Sequence, residues 1–424
     1  MKIAVVGAGV VGITTAYELT LDGHEVTVFD RRHTAAEEAS FANGSVITPG
    51  WSTARIGAER AWRTLFGGPG SALQLDRLPR GAQWRWLWQW HQCGRPGARA
   101  GLQRQMLGLM AYSQERQGDL GATLNLDHDR CQGLLLLWRT AQDLERAQPT
   151  MDLMREMGLT ARTLSGDDAR QLEPALQGGT PLHSATELEG ESAANCREFA
   201  LLLRGEAQRL GCHFMFGSTV ERMTPVDGPG RAVTVHHRQA DAATASTFDA
   251  VAICAGMASV GLLRPLGLRL PLQAVYGHSI SAPVREPVDA PVAAVVDTRH
   301  HVSIVRLGQR VRVAGGARLD GPGAGRSPEA LKQLYRVLAD WYPGAAQLGG
   351  RHGQVQEWHG VQASLPDGPP LIGASRVPGI WLNLGHGAHG WSMACGSARA
   401  LADGMAGRAP EVDLAGCAPG RFGL

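Results

Sequence analysis

The first thirty residues constrain the fold more than any other part of the chain. Residues 2–6 (KIAVV) are apolar enough for a buried strand, residues 10–21 have helical spacing, and residues 24–29 (HEVTVF) alternate like a second strand. Three glycines in G-x-G-x-x-G spacing separate the first strand from the helix: Gly7, Gly9 and Gly12. This βαβ unit predicts a parallel sheet with helices packed on its faces.

The glycine turn also predicts a dinucleotide site. The first glycine allows a tight turn, the second lets the backbone approach a pyrophosphate, and the third lets the helix pack closely on the sheet. The start of the helix, at Val10 and Val11, offers unpaired N–H groups and a positive dipole end to the phosphates. Asp30 stands eighteen residues after Gly12, where a carboxylate can accept hydrogen bonds from a ribose diol. The adjacent Arg31 leaves a phosphorylated ribose open.

A second glycine turn lies near the other end of the chain. An apolar strand at 380–384 leads into Gly385-His-Gly-Ala-His-Gly390-Trp391, and a helix follows. A small, polar run at 38–45 (EASFANGS) follows the first βαβ unit. A nicotinamide-dependent enzyme needs one such turn, whereas two turns suit the larger FAD. The nicotinamide alternative stays open, and the run at 38–45 argues against it.

Composition excludes several classes of function. The 41 Lys and Arg residues nearly balance the 39 Asp and Glu residues, so no net field attracts nucleic acid. The 424 residues are too many for one ordinary core and favour two domains. The seven dispersed cysteines show no metal-ligand spacing and indicate reduced thiols in a cytoplasmic protein. No metal site is expected, and no stretch has the ~18 uncharged apolar residues of a spanning helix.

Four stretches of the sequence, together with weaker similarity at 172–176 and 251–256, resemble one family. They are VVGAGVVGITTAYELTLDGHEVTVFDR at 5–31, EASFANGSVITPGW at 38–51, LPDGPPLIG at 365–373 and WLNLGHGAHGWSMACGSARALADGMAG at 381–407. The chain resembles the D-amino-acid dehydrogenase branch of the FAD-dependent amino-acid and amine oxidoreductases, a family that includes D-amino-acid oxidase, glycine oxidase and sarcosine oxidase.

The resemblance implies an α/β fold with a Rossmann-type FAD-binding domain. An inserted α+β substrate domain containing an antiparallel sheet would interrupt it. The expected boundaries are 1–75, 165–265 and 350–424 for the FAD-binding domain, and 76–164 and 266–349 for the substrate domain.

The resemblance also assigns FAD contacts, residue by residue. At the pyrophosphate and adenosine end these are Gly7, Gly9, Val10, Val11, Gly12, Asp30 and Arg31. Along the ribityl chain and flavin ring they are Ser40, Ala42, Asn43, Gly44 and Ser45. Near the adenine cleft they are Val220, Ala255 and Gly256, and at the pyrimidine side of the flavin they are Gly385, His386, Gly387, Gly390 and Trp391.

The expected reaction is the oxidation of an amino acid, in the D-configuration by resemblance, or of an imino acid. In this family hydride passes from the substrate Cα to flavin N5, and water hydrolyses the resulting imine to a 2-oxo acid. The resemblance implies that electrons then pass to a quinone or another acceptor such as oxygen.

Two departures from the family pattern concern the substrate. Relatives carry an arginine upstream of the LPDG-type motif to pair with the substrate carboxylate, whereas this chain has Gln362, which has no charge. A family Lys-Gly-Tyr-Ser-like stretch is Tyr276-Gly-His278-Ser here. The predicted substrate-pocket residues are Tyr276, His278, His300 and Gln362.

These departures leave alternatives open. Tyr276, His278 and His300 equally suit hydrogen-bonded core positions, and Arg299 or Arg306 could replace the missing anchor. A flavin-dependent secondary-amine dehydrogenase or oxidase without carboxylate recognition is the main alternative. A catalytically idle flavoprotein that serves as a binding subunit is another.

Four tryptophans crowd into seven residues: Trp84, Trp86, Trp88 and Trp90. On a helix they would point to different faces. One interpretation is an interfacial patch that contacts a membrane or quinone, since tryptophan favours that boundary. The favoured interpretation is packing at a domain junction. The expected location is the cytoplasm, with peripheral contact at the inner face of the cytoplasmic membrane as the further alternative.

Overall fold

The computed structural model describes residues 1–55, 73–75, 78–226, 232–320, 325–349 and 355–424. The strands in these ranges are β1 (Lys2–Val6), β2 (Glu25–Asp30), β3 (Val46–Ile47), β4 (Arg130–Trp138), β5 (Ala161–Ser165), β6 (Ser184–Ala194), β7 (His213–Phe216), β8 (Ser218–Pro225), β9 (Val233–Gln239), β10 (Ala242–Phe248), β11 (Ala250–Ile253), β12 (Gln273–Pro283), β13 (Ala294–Asp297), β14 (Val302–Leu307), β15 (Arg310–Arg318), β16 (Gln356–Ser364), β17 (Leu371–Ala374) and β18 (Ile380–Leu384).

The α-helices in the same ranges are α1 (Val10–Leu21), α2 (Pro49–Arg55), α3 (Ala82–Cys93), α4 (Pro96–Thr123), α5 (Ala141–Glu156), α6 (Gly166–Leu172), α7 (Cys196–Arg209), α8 (Ser259–Leu263), α9 (Pro328–Trp341) and α10 (Gly390–Met405). No helix in the described ranges is long and apolar enough to cross a membrane.

A six-stranded sheet carries the predicted βαβ unit. Its strand order is β17-β18-β11-β1-β2-β7, and every pair except β17–β18 is parallel. Strand β1 is buried from Ile3 to Val6 because helices cover one face of the sheet and a three-stranded antiparallel sheet (β10-β9-β8) packs near the other. The predicted α/β class is confirmed.

The second large sheet is mostly antiparallel, as expected for the substrate domain. Its order is β16-β12-β15-β14-β13-β4-β6-β3, with β5 paired to β6, and only β13 and β4 run parallel. Strand β6 pairs with β4 and strand β16 pairs with β12 in this sheet, although both β6 and β16 lie in segments assigned to the FAD-binding domain from the sequence. The domain boundaries themselves stay a prediction.

Local differences from the sequence-based expectations have local causes. The apolar pattern at 212–220 predicts one strand, but the structure has two, because Gly217 adopts a φ of +67° and turns the chain between β7 and β8. The irregular stretch 51–101 contains α2, α3 and the start of α4, whereas its residues 56–72 and 76–77 lie outside the described ranges. Its tryptophan and arginine content hides helical periodicity, so these helices depend on tertiary packing.

The two chain ends are joined through helices α1 and α10. The Thr14 hydroxyl donates to the carbonyl of Ala394 at 3.1 Å, and Asn383 Nδ2 donates to Thr15 Oγ1 at 3.0 Å. The carboxylate of Glu18 is fully buried and accepts hydrogen bonds from Arg116 and Arg399, each at 2.8 Å. A buried carboxylate needs such partners, so α1 and α10 are fixed relative to each other.

Candidate active site

The first glycine turn follows β1 at the carboxyl edge of the parallel sheet. Gly7 has a φ of +106°, and a Cβ atom there would lie 2.6 Å from the carbonyl oxygen of Cys254. A Cβ on Gly12 would lie 1.8 Å from the carbonyl oxygen of Gly7. Helix α1 begins after Gly9 with no side-chain hydrogen bond at its cap residue. The turn therefore combines close helix–sheet packing with a helix start that can face phosphate groups.

The neighbouring charged residues stabilise this turn. The Asp30 carboxylate accepts hydrogen bonds from the backbone N–H of Ala8 at 2.6 Å and of Arg32 at 2.7 Å. Burial raises the pKa of Asp30. The Arg31 guanidinium instead contacts Glu38, with an Nε–Oε1 distance of 2.9 Å. Asp30 thus lies at the end of β2 beside the turn, as a ribose-binding carboxylate would, and Arg31 is held in an ion pair.

The predicted adenine-side residues are divided between two places. Ala255 and Gly256 follow β11, and the Ala255 Cα would lie 3.0 Å from a Cβ on Gly7, so both share the edge of the glycine turn. Val220 lies on β8 in the three-stranded sheet and is buried.

The segment from Ser40 to Ser45 connects the two large sheets. Ser40 Oγ accepts from the backbone N–H of Val10 at 3.0 Å, which ties the segment to the start of α1. Ser279 Oγ donates to the Ala42 carbonyl at 2.7 Å, and Ser303 Oγ donates to the Gly44 carbonyl at 3.3 Å. The segment is therefore held at both ends.

The Arg312 guanidinium holds the far end of this segment by donating to Ser45 Oγ at 3.0 Å. Burial lowers the pKa of Arg312 to about 10, so it remains a cation at neutral pH. Sequence reasoning missed Ser279, Ser303 and Arg312 as supports. Ser279 belongs to the Tyr276–Ser279 motif, whereas Ser303 and Arg312 carry no local signal because their roles depend on strand pairing.

The second glycine turn has its own steric demands. Gly385 has a φ of +83°, and a Cβ there would lie 2.5 Å from Leu365 Cδ1. His386 is buried with its Nε2 3.1 Å from Ser397 Oγ, and burial lowers its pKa to about 3, so the imidazole is neutral. Gly390 starts α10, and the buried Trp391 packs on Phe199 with ring centroids 5.0 Å apart.

Both segments predicted to contact the flavin line one cavity of about 950 Å³. The first segment contributes Ala42, Asn43 and Gly44, and the second contributes His386 and Gly387. The cavity extends across β12, β14, β15 and β16 of the antiparallel sheet. Five tryptophans line it, from four different helices and strands: Trp51, Trp86, Trp90, Trp138 and Trp358. Its size and largely aromatic walls are typical of a small-molecule site.

The predicted pocket histidine His278 lines the cavity. The backbone N–H of Ser327 donates to its Nε2 at 3.1 Å, so Nδ1 carries the proton and donates to the Gly316 carbonyl at 3.2 Å. Burial lowers the pKa of His278. Both ring nitrogens have backbone partners, and the role of His278 in the substrate pocket stays a prediction.

Tyr276 is buried and is not among the described cavity-lining residues, whereas its neighbours Val275 and Gly277 are. Gln362 does line the cavity, and its Nε2 lies 3.2 Å from where a Cβ on Gly277 would be. Gln362 thus covers Gly277, and its role in substrate binding stays a prediction.

His300 also lines the cavity. Its backbone N–H donates to Asp297 Oδ1 at 3.1 Å, and its buried Nδ1 has no hydrogen-bond partner among the described residues. Burial lowers the pKa of His300. The ring is therefore neutral at neutral pH, and its role stays a prediction.

The two arginines considered as replacement anchors are engaged elsewhere. Arg299 lines the cavity, but its Nη2 contacts Asp143 Oδ2 at 2.8 Å. Arg306 donates to the carbonyl of Gly308 at 3.1 Å and lies outside the described cavity lining. Neither is a free guanidinium next to Gln362.

Helix α3 presents its four tryptophans in two ways. Trp86 and Trp90 stack with centroids 6.1 Å apart and line the cavity, and Trp86 Nε1 donates to the Ser364 carbonyl at 3.0 Å. Trp84 and Trp88 are 47% and 62% exposed. Trp86 and Trp90 therefore pack inside the protein, as the favoured interpretation expects, whereas Trp84 and Trp88 face outward.

A buried carboxylate supports another part of the cavity wall. Glu191 Oε1 accepts from the backbone N–H groups of Gly50 and Trp51, at 2.8 and 3.1 Å, and Trp51 lines the cavity. Glu191 Oε2 is buried without a partner among the described residues. Burial raises the pKa of Glu191 to about 7, so the residue changes protonation near neutral pH.

Known proteins share this architecture. A family model described as FAD dependent oxidoreductase matches residues 2–404. The chain belongs to this family of FAD-dependent oxidoreductases. It is 39% identical over 423 residues to the D-amino acid dehydrogenase of Cereibacter sphaeroides, covering 98% of this chain and 94% of that one. The resemblance found in the sequence is confirmed.

Solved structures of FAD-dependent oxidoreductases and related enzymes show the same fold. The L-proline dehydrogenase of P. horikoshii superposes with a TM-score of 0.75 at 15% identity, covering 99% of this chain and 97% of that one. The glycine oxidase of Geobacillus kaustophilus gives a TM-score of 0.74 at 18% identity, covering 98% and 97%.

The family's cofactor fits the residues described above. The glycine turn excludes side chains at Gly7 and Gly12, as close approach of a pyrophosphate requires, and its cap residue Gly9 makes no side-chain hydrogen bond. The Val10 N–H at the helix start donates to Ser40 Oγ instead. The Ser40–Ser45 segment connects that turn to the cavity. The enzyme is an FAD-dependent oxidoreductase, and these residues are the ones that would hold FAD.

We expect Gly12→Ala to abolish FAD binding, because the new methyl group would overlap the Gly7 carbonyl and push α1 away from the sheet. The measurement is the visible absorbance of the purified protein and the FAD released on denaturation. Gly205→Ala in α7 is the control: no atom lies within 4 Å of its new Cβ, so it should keep FAD and gain ~0.5–1 kcal/mol of stability. A folded Gly12→Ala protein with normal FAD content would contradict the expectation.

The raised pKa of Glu191 predicts that the stability of the protein depends on pH. Its folded-state pKa lies above the usual value of 4.5, so the native state holds the extra proton and the free energy of unfolding falls as pH rises from about 4.5 to about 7. The loss is on the order of 3 kcal/mol. Glu191→Gln keeps an acceptor for Gly50 and Trp51 but cannot ionise, so the loss should shrink.

Urea unfolding at about pH 5 and about pH 8 measures this effect. Glu187→Gln, on the same strand β6 but paired to Arg162 at its edge, is the matched control and should keep the wild-type pH dependence. Equal pH dependence in Glu191→Gln and wild type would show that Glu191 is ionised throughout.

Proposed function

We propose that this enzyme oxidises a D-amino acid, or an imino acid, to the imine that water converts to a 2-oxo acid. The observation that carries the proposal is that both predicted flavin segments line the cavity that also contains Gln362 and His300. The name of the relative that is 39% identical over nearly the whole chain supports the D-configuration.

Bound FAD supplies the hydride acceptor for the substrate Cα–H. The protein's part is to position the substrate and to exclude water. Gly277 and Gly360 face each other on β12 and β16, and a Cβ on Gly360 would lie 1.9 Å from the Trp358 ring. The Trp358 ring and the Gln362 amide therefore form the floor of the cavity. They lie directly on the strand backbone at Gly360 and Gly277, because glycine has no side chain.

Proton handling follows from the same groups. Burial lowers the pKa of both His300 and His386, so both imidazoles are neutral near neutral pH. These two imidazoles therefore do not repel the cationic substrate ammonium electrostatically. The substrate donates hydride more readily after its ammonium group has lost a proton and become a neutral amine.

Oxidation of a secondary amine without a carboxylate is the second candidate. It is favoured by Gln362, which occupies the position of the family's carboxylate-pairing arginine and has no hydrogen-bond partner among the described residues. A neutral amide cannot form a bidentate ion pair.

We further propose that the electron acceptor is a quinone and that helix α3 contacts the membrane surface that holds it. The exposed Trp84 and Trp88 stand one helical turn apart, and exposed Arg85 lies between them. Cosedimentation with anionic lipid vesicles measures the contact. Trp84→Ala with Trp88→Ala should lower the bound fraction about 10-fold, and unchanged binding would exclude this surface.

Anaerobic reduction of the enzyme distinguishes the two candidate substrates. We expect D-alanine to bleach the flavin absorbance with release of ammonia. L-alanine should leave the absorbance unchanged, because a chiral cavity that directs the Cα–H of one enantiomer towards the flavin directs that of the other away. Bleaching by N-methylated amines without a carboxylate, but by no amino acid, would establish the second candidate. Bleaching by the L-enantiomer alone would contradict the proposed configuration.

A further inference from the structure

One end of the cavity differs from the rest in its charge. This cationic end lies beside helix α5, the β13–β14 connection and helix α9. Its polar lining includes Asp143, Arg146, Thr150, Arg299, His300 and Arg336. Gln362 and Trp358 lie on β16, at the other edge of the antiparallel sheet.

Both carboxylates on the described cavity lining are already paired. Asp143 accepts from Arg299 Nη2 at 2.8 Å, and Asp367 accepts from Arg421 Nε at 2.7 Å. Each pair is close to neutral overall. Neither carboxylate is therefore available to hold a substrate cation without losing its partner.

Two arginines on the same lining are different. Arg146 and Arg336 have no ion pair or hydrogen bond in the described part of the chain, and both are exposed at the rim of the cavity. Arg336 is close enough that its charge helps to lower the pKa of His300, after the larger effect of burial. The unpaired charges on the described cavity lining are thus all positive.

The residues behind this wall do not cancel that charge. Arg139 lies between Asp297 and Asp340, with N–O distances of 2.7 Å to each. Together with Asp143, Arg146, Arg299 and Arg336, this group contains four guanidinium groups and three carboxylates. An excess of positive charge remains, and it lies on the cavity side.

We propose that the cationic end binds a carboxylate on the substrate side chain, so that the preferred substrates are acidic amino acids. Arg146 and Arg336 are the binding residues. This inference rests on the proposed function and names its substrate class.

The spacing of the strands supports a side-chain carboxylate. The predicted flavin segment is held by β12, β14 and β15 through Ser279, Ser303 and Arg312. The cationic end lies over β13 and β4, one or two strands further on, which is about 5–10 Å. A glutamate side chain reaches the near end of that range, and the long arginine side chains can extend over the rest. Ala147 and Trp138, which line the same end, can contact its methylene groups.

The test compares D-glutamate with D-glutamine, which has the same shape without the second carboxylate, and with D-alanine. We expect the wild-type holoenzyme to prefer D-glutamate in kcat/KM. Arg336→Gln and Arg146→Gln should each lower kcat/KM for D-glutamate about 5-fold, through KM, and change D-glutamine less than about 2-fold. Lys332→Gln is the control, because it removes the same charge one turn away on α9 but lies outside the described cavity lining.

Glutarate measures binding without turnover. It should perturb the flavin absorbance of the holoenzyme and inhibit D-alanine oxidation competitively, and the Arg146→Gln, Arg336→Gln double variant should bind it about 20-fold more weakly.

Several results would overturn the inference. Equal losses for D-glutamate and D-glutamine would place the α-carboxylate at the arginines instead. The absence of a preference for D-glutamate, or unchanged glutarate binding in the double variant, would exclude the site. An enzyme that oxidises D-alanine but not D-glutamate contradicts only this inference. If no amino acid reduces the enzyme, the proposed function fails, and glutarate binding still decides whether the cationic end recognises a dicarboxylate.

Discussion

The close approach of helix α1 to the parallel sheet is the constraint on which the rest of the structure depends. The space for a side chain at Gly12 is occupied by the Gly7 carbonyl, and that at Gly7 by the chain after β11. This packing places the start of α1 next to Ser40 and, through it, next to the segment that lines the cavity. Two glycines thereby determine how the first glycine turn lies relative to the cavity.

Buried ion pairs maintain the position of that helix. Glu18 lies on α1 with no solvent exposure and is contacted by guanidinium groups from α4 and α10. Such a group contributes little net stability, because desolvation offsets most of the attraction. It does require three particular helices to meet in one arrangement. The hydroxyl groups of Ser279 on β12 and Ser303 on β14 bind the Ser40–Ser45 segment, which is tied to α1. The position of the antiparallel sheet is therefore linked to that of α1.

The elements that depend on the local spacing of residues could be predicted from the sequence. The βαβ unit and strand β18 follow from periodicity, and the two glycine turns follow from their spacing between strand and helix. The roles of Tyr276 and His278 in the pocket stay predictions. Which face of β12 a side chain occupies, and whether a loop such as that of Ser327 approaches it, depends on pairing between distant strands. Arg312 and Glu191 were missed for the same reason, since their partners are more than a hundred residues away.

The sheet order has a consequence for synthesis on the ribosome. Strand β18 and helix α10, from the last tenth of the chain, complete the parallel sheet beside β11 and cover α1. A nascent chain therefore exposes an apolar helix face and an unpaired strand edge until β18 and α10 have been synthesised. The unfinished protein is prone to aggregation during that interval.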